Sequence, residues 1–119
     1  RRLQEAEWHA DGQIAVFDEY YRVSALREPP EGLLYILFPG TSGGWMVQQI
    51  PESPGSPEGR LPLPEEWAGL RAEELAVKIG IQAKNDLPFC HNNRFISGAV
   101  SKADALVMAK KAIKLAKKP

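Results

Sequence analysis

The stretch "PFCHNNRFISGAV", residues 88–100, holds the side chains most able to do chemistry in this chain: Cys90, His91, Asn92, Asn93 and Arg94, set between apolar neighbours. Three chemistries use such a set. A thiol nucleophile requires an imidazole within hydrogen-bond reach of its sulfur. Successive strand residues point to opposite faces, so Cys90 and His91 on one strand cannot act as a dyad, and Cys90 reads as a small buried hydrophobe. A metal centre needs several His, Cys or carboxylate ligands converging, yet the two histidines, His9 and His91, are far apart and lie outside any helical ligand motif. Neither a catalytic residue nor a metal ligand is therefore expected. Anion binding asks instead for donors and close backbone approach. His91, Asn92, Asn93 and Arg94 supply side-chain donors, and Gly98, between Ser97 and Ala99, would let a ligand come near the backbone. A polar turn, in which Asn92 and Asn93 simply tolerate positive φ, accounts for the same residues structurally and stands beside the anion reading.

The cluster needs a hairpin to carry it. "LPFCH" and "RFISGAV" are short apolar segments, and a two-residue Asn92-Asn93 turn between them would pair His91 with Arg94 on one face. Upstream, "DGQIAVF" suits a short strand, and Asp18 is placed to cap a helical stretch through "EYYRVSAL" that "REPPEG" must stop. The continuous apolar run "LLYILF" predicts a strand buried on both faces, returning through the turn "PGTSGG" as "WMVQQI". "PESPGSPEGRLPLPEE" can sustain neither regular structure and predicts an extended surface loop. Pro64 then suits the first residue of a helical turn anchored by Trp67, and "RAEELAVK" predicts a helix ending at Gly80. Ser101 and Asp104 have capping spacing before an amphipathic helix carrying Leu106, Ala109, Ile113 and Ala116. The fold expected is a single α+β domain with a mixed sheet of about five strands, including two hairpins, covered by helices. Residues 1–12 read as a linker-like start and residues 13–119 as the domain.

Composition narrows the function classes. A chain of 119 residues with 44% hydrophobic and 25% charged residues is of ordinary single-domain make-up. No run approaches the ~20 apolar residues of a membrane span, and no signal peptide is expected. The single cysteine cannot form an internal disulfide, which points to an intracellular, cytoplasmic origin, or an organellar or nuclear one in a eukaryote. Lys plus Arg equal Asp plus Glu at 15 each, so the chain as a whole lacks the field of a dedicated nucleic-acid binder. From Ser101 onward, six lysines face one acid, Asp104. Such a helix usually presents a solvated face.

"RLPLPEEWAGLRAEEL", residues 60–75, then "GI" and "FCHNNRFISGA", resemble the C-terminal half of the melanocyte-proliferating-gene (MYG-type) exonuclease family, itself similar to the DHH phosphoesterases. The matching positions are Arg60, Leu63, Pro64, Trp67, Gly69 and Leu70, followed by Phe89, His91, Phe95, Ile96 and Gly98. "LLYILFPGTSGGWMVQQIPESPGS" follows the same family's order of strand, turn, Trp, strand and Pro-Gly-Ser, so the likeness runs from about Gln13 onward. It implies a two-part enzyme, whose N-terminal half carries Asp and His ligands for a divalent metal, usually manganese, and whose C-terminal half grips substrate phosphate. No Asp-His-His sequence occurs here. By this resemblance the chain is the substrate-binding C-terminal domain, inactive alone, with Arg60, His91, Asn92, Arg94 and Gly98 as substrate contacts. Its partners would be the metal-binding half and a nucleotide or RNA 3′ end, and "RRLQEAEWHADGQ" would be the tail of something longer. The sequence departs from the family where Asn92, Asn93 and Arg94 replace small residues and a glycine, and where Ser97-Gly98 replaces paired glycines. The alternative is a non-catalytic protein-interaction module using the Trp45 hairpin and the lysine-rich helix.

Overall fold

The structure, a computed structural model, describes residues 6–117. Its sheet has six strands in the order β1 (Glu7–His9), β2 (Ile14–Val16), β3 (Tyr35–Pro39), β4 (Trp45–Gln49), β6 (Ile96–Ala99) and β5 (Phe89–Cys90). Only β2 and β3 run parallel; every other neighbouring pair is antiparallel. The α+β class and both hairpins are as expected, with one strand more. That extra strand is β1, inside the stretch read as linker-like: Glu7, Trp8 and His9 pair with Val16, Ala15 and Ile14. Lys102 Nζ donates to Glu7 Oε1 at 2.9 Å and ties this edge to the last helix. Residues 1–5 and 118–119, including the last of the six C-terminal lysines, lie outside the described residues.

Two cores lie on the two faces of the sheet. Ile14, Val16, Tyr35, Leu37, Val47 and Ala99 point toward helices α1 (Ala72–Ile79) and α2 (Lys102–Ala116), where they meet Leu75, Ile79, Met108, Ala109 and Ile113. Ala15, Phe17, Ile36 and Phe38 point the other way and are covered by Tyr21, Leu33 and Ile50. β3 is therefore apolar at consecutive positions because both of its faces are buried. The cover on the second face stops short of β4, β6 and β5, so Met46, Gln48, Phe89 and Ile96 stay half-exposed.

Helix ends follow their local chemistry. Ser101 Oγ accepts from the Asp104 N–H at 3.1 Å, and Gly80, at φ 90°, ends α1 in the left-handed conformation. Lys111 Nζ donates to the Ile79 carbonyl at 3.0 Å, adding a cation at the negative end of α1. The helix expected after Asp18 does not form. Only a 3-10 turn, Val23–Ala25, stands there. The segment is too short to nucleate a helix before Pro29 and Pro30, and its aromatic rings pack instead: Phe17 stacks on Tyr21 with centroids 4.1 Å apart, and Tyr20 meets Phe38 edge-on at 5.5 Å. Pro64 precedes a 3-10 turn, Glu65–Trp67, as its capping residue rather than its first helical one. Among the described residues no helix is long and apolar enough to cross a membrane.

The Pro-rich loop closes on the sheet at Gly59, which is buried beneath the Gln49 side chain; a Cβ there would overlap the Gln49 amide. Gly59→Ala should lower stability by about 1–3 kcal/mol through overpacking. Gly32→Ala, where a Cβ meets nothing within 4 Å, should stay within about 0.5 kcal/mol of the parent. Urea midpoints of the two variants check the difference; equal midpoints would mean that the Gln49 contact is easily relieved.

Candidate functional site

The ladder of the second hairpin ends at Cys90 and Ser97, and the His91 N–H donates to the Ile96 carbonyl at 3.0 Å. Residues 92–95 therefore form a four-residue loop in place of the expected two-residue turn. Within it the Arg94 N–H donates to the His91 carbonyl at 2.9 Å, and Arg94 takes φ 63°. Phe95 fills the extra position. His91 and Arg94 flank Asn92-Asn93, but not as a directly opposed pair of strand residues.

Each loop side chain has a defined setting. His91 Nδ1 accepts from the Asn93 backbone N–H at 3.0 Å, which requires the Nδ1 lone pair and leaves the proton of the neutral ring on Nε2. The ring lies edge-on to Phe95, with centroids 4.7 Å apart. Asn92 lies over Gly69, which sits at φ 75°, and a Cβ on Gly69 would overlap Asn92 Oδ1. Arg94 is half-buried; its Nε donates to the Leu63 carbonyl at 2.6 Å, while the Leu63 N–H donates to the Arg94 carbonyl at 2.9 Å. The terminal guanidinium nitrogens of Arg94 have no hydrogen-bond partner among the described residues. The structure thus gathers His91, Asn92 and Arg94 on one exposed loop.

Arg60 and Gly98 stand apart from that group. Arg60 Nη1 donates to the carbonyls of Pro30 at 2.5 Å, Leu33 at 2.8 Å and Glu31 at 3.2 Å, and Nη2 to that of Pro29 at 3.4 Å. Its guanidinium clamps the 29–33 turn. At Gly98 a Cβ would come within 2.6 Å of Phe89 and 2.8 Å of Met46, so the glycine makes room for those side chains across the sheet. Cys90 is buried, and its burial pushes the thiol up to about 11 against the opposing influence of Arg94. Exposed His91 lies beyond it on the loop, in line with the expected separation of the two side chains.

Two grooves lie on the half-open side of the sheet, and the first of them touches the loop. One of about 330 Å³ is lined in part by Gln48, Gln49, Asn93 and Phe95, and another of about 420 Å³ in part by Tyr20, Phe38, Ser42, Met46 and Gln48. Gln48 belongs to both. Sequence reasoning named Asn93 as a donor and Phe95 as a family-matching position, but singled out neither Tyr20 nor Gln48 as lining a site. The signal for Gln48 was its alternation with buried Val47 in "WMVQQ". Among the described residues no three His, Cys, Asp or Glu side chains converge on a point where a metal could sit, and His9 is hydrogen-bonded to Glu7. These residues do not fit the manganese centre that the family resemblance implies for the other half.

An α+β domain with one helix-covered face and a polar hairpin loop agrees with the sequence resemblance, and comparison with known proteins gives it a family. The MYG1 exonuclease family model, described as an uncharacterised protein family (UPF0160), matches residues 2–113. The chain belongs to the MYG1 exonuclease family. It is 34% identical over 101 residues to the MYG1 exonuclease of Homo sapiens, covering 85% of this chain and 26% of that protein. Identity to the MYG1 protein of Dictyostelium discoideum is 34% over 112 residues, covering 88% of this chain and 33% of the relative. With the MYG1 exonuclease of Rattus norvegicus it is 34% over 93 residues, 78% of this chain and 24% of the relative. The chain thus spans about a quarter to a third of the length of these curated relatives. No solved structure matches it.

Two outcomes follow from Arg60 and Cys90. Arg60→Lys, which keeps the charge but not the planar fork, should lower stability by about 1–3 kcal/mol, measured as a fall in the urea midpoint. An unchanged midpoint would show that the clamp contributes nothing. Cys90 favours its protonated form on folding, so its contribution is complete below the ordinary thiol value near 9 and is lost as pH rises toward 11. The stability difference between the parent and Cys90→Ser should therefore shrink from pH 9 to 11, and the native thiol should alkylate slowly at pH 8 until urea exposes it. Rapid native labelling would contradict this placement of the thiol.

Proposed function

We propose that this chain is the substrate-binding, non-catalytic part of a MYG1-type exonuclease, holding a phosphate of a nucleotide or RNA 3′ end at the 91–94 loop. The observation that carries the reading is the state of Arg94. Its Nε is spent on Leu63, which fixes the plane of the guanidinium, while its terminal nitrogens remain available. A half-buried guanidinium with unspent donors is well suited to an incoming phosphate oxygen, because charge-assisted bonds gain strength away from bulk water. His91 adds a second donor, since the bond from Asn93 commits Nδ1 as acceptor and leaves Nε2–H for a ligand. Asn92 and Asn93 offer further donors at the same loop.

In this reading the chain binds and orients; the bond-breaking chemistry belongs to a metal-binding N-terminal half. Arg94 and His91 would offset negative charge on non-bridging oxygens of the bound phosphate, an effect that grows if charge builds there during reaction. Arg60 supports the site at one remove, by holding the strand-like segment that leads to Leu63. Gly98 supports it by letting Phe89 and Met46 close over the sheet. The human and rat relatives bear the name exonuclease, which supports a phosphodiester substrate.

An NMR titration with orthophosphate and ribose 5-phosphate tests this. Shifts should centre on residues 91–95, and Arg94→Ala or His91→Ala should each weaken binding about tenfold, as expected for loss of one charge-assisted bond. Shifts that map elsewhere, or variants that bind as the parent does, would overturn the phosphate reading and favour a protein-interaction module. The chain alone should release no nucleotides from RNA when manganese is added.

A further inference from the structure

We infer that the half-open face of the sheet beside the loop is a nucleobase platform, on which Tyr20 stacks against the base and Gln48 hydrogen-bonds its edge. The inference rests on the phosphate reading for the identity of the ligand, but on different residues for its place. Tyr20 is 53% exposed, yet it is not loose: its edge-on contact with Phe38 sets the ring beside β3 and β4. Met46 and Ile96 lie beside it as a half-buried apolar floor. Around that floor stand the hydroxyls of Thr41 and Ser42 and the Gln48 amide, none of which has a hydrogen-bond partner among the described residues.

The mixture decides the occupant. An interface with another protein also sets polar groups around an apolar centre, but the apolar floor here is only as wide as Met46 and Ile96, the scale of one small flat ligand rather than of a protein partner. A nucleobase is flat and apolar on its faces and carries donors and acceptors on its edges, which is the complement of an exposed ring, a thioether floor and an amide rim. Gln48 can give and accept in one plane, so it can meet either kind of base edge. The groove, at about 420 Å³, lies within the range of roughly 300–1,000 Å³ usual for small-ligand sites. Gly43, at φ 99° and with open space where a Cβ would stand, lets the hairpin backbone be approached closely.

Position links the platform to the phosphate loop. Gln48 lines the groove under Tyr20 and also the groove under Asn93 and Phe95, and Ile96 of the first adjoins Phe95 of the second. A nucleotide with its base over Met46 can therefore reach the loop at Asn93, whereas Arg94, bonded to Leu63 of the helix-side core, lies toward the other face of the sheet. The base could belong to a free nucleotide or to the end of an oligoribonucleotide; the recognition chemistry is the same.

The test is a set of NMR titrations of this chain with adenosine, ribose 5-phosphate, AMP and the trinucleotide ApApA. Adenosine, which has no phosphate, should shift Tyr20, Met46, Gln48 and Ile96, while ribose 5-phosphate shifts residues 91–95. Tyr20→Ala should weaken adenosine and AMP by about fivefold to a hundredfold, the range for loss of one base–aromatic stack, and leave ribose 5-phosphate unaffected. Tyr20→Phe and Tyr20→Trp should retain binding, since both keep a stacking ring. Adenosine that leaves this face unshifted, or that binds Tyr20→Ala as it binds the parent, overturns the platform whatever ribose 5-phosphate does. Adenosine binding here without any ribose 5-phosphate shift supports the platform and defeats only the phosphate reading. Tighter binding of ApApA than of AMP assigns an oligonucleotide end; equal binding assigns a free nucleotide; both support the platform.

Discussion

The register of β4 governs what this domain can offer a ligand. Between β3 and β6, Val47 faces Leu37 on one side and Ser97 on the other, and all three turn toward the helices. Met46 and Gln48 must then turn to the opposite face, because side chains alternate along a strand. A slip of one residue would bury Gln48 under α2 and expose Val47, exchanging the whole set. The helix side resists that slip: Val47 is fully buried, and the Ser97 hydroxyl is seated 2.9 Å from the Met108 sulfur. The chemistry of the open face is thus fixed by packing on the covered one.

A second constraint reaches the loop from far away in the chain. The segment leaving the Pro-rich loop lies against the sheet, with the Arg60 N–H donating to the Ile50 carbonyl at 2.8 Å and Leu63 exchanging bonds with Arg94. A few residues on, Gly69 and Leu70 exchange backbone bonds with Cys90, each at 3.0 Å, and cover what would otherwise be the open edge of β5. Arg60 extends this bracing to the 29–33 turn. The path from that turn through Arg60 and Leu63 to Arg94 consists largely of hydrogen bonds to main-chain carbonyls, which hold position irrespective of side-chain variation. A loop so supported is held firmly in place, although its own hairpin ladder is only two rungs long.

What the sequence disclosed, and what it hid, follows from the range of the interactions involved. The first hairpin was legible because an apolar run, a Gly-rich turn and an alternating return are local signals, and so was Gly80, whose missing Cβ matters to its own backbone. β1 was hidden because a three-residue strand has no periodicity to read; it exists through pairing with β2 and through Lys102, far along the chain. The stretch after Asp18 is expected to be helical from its capping aspartate, whereas the sheet face that Phe17 and Tyr21 cover, and not a local turn, organises them. Arg60 and Arg94 were legible as cations but not as clamps, since the carbonyls they bond lie about thirty residues away. Gly98 was legible as a place lacking bulk, while the identity of what fills it, Phe89 and Met46, depends on the register of three strands.

The conformation of Arg94 bears on the site's purpose. A side chain in the left-handed region costs about 1–2 kcal/mol relative to ordinary backbone, and a glycine would remove that cost. The family pattern that this chain resembles has small residues and a glycine after the histidine, so the loop is one that glycine suits. Here an arginine occupies the strained position at φ 63°. The two bonds it exchanges with Leu63 offset the cost, but the one through its backbone carbonyl would be available to glycine as well. Only the Nε bond and the terminal nitrogens are specific to arginine. A single neutral carbonyl needs no delocalised cation with several donors to satisfy it, and placing a guanidinium at the rim of an asparagine-lined loop is a costly way to do so. Under the phosphate binding proposed above, the rest of the fork would meet a group with enough negative charge and enough acceptor oxygens to use it.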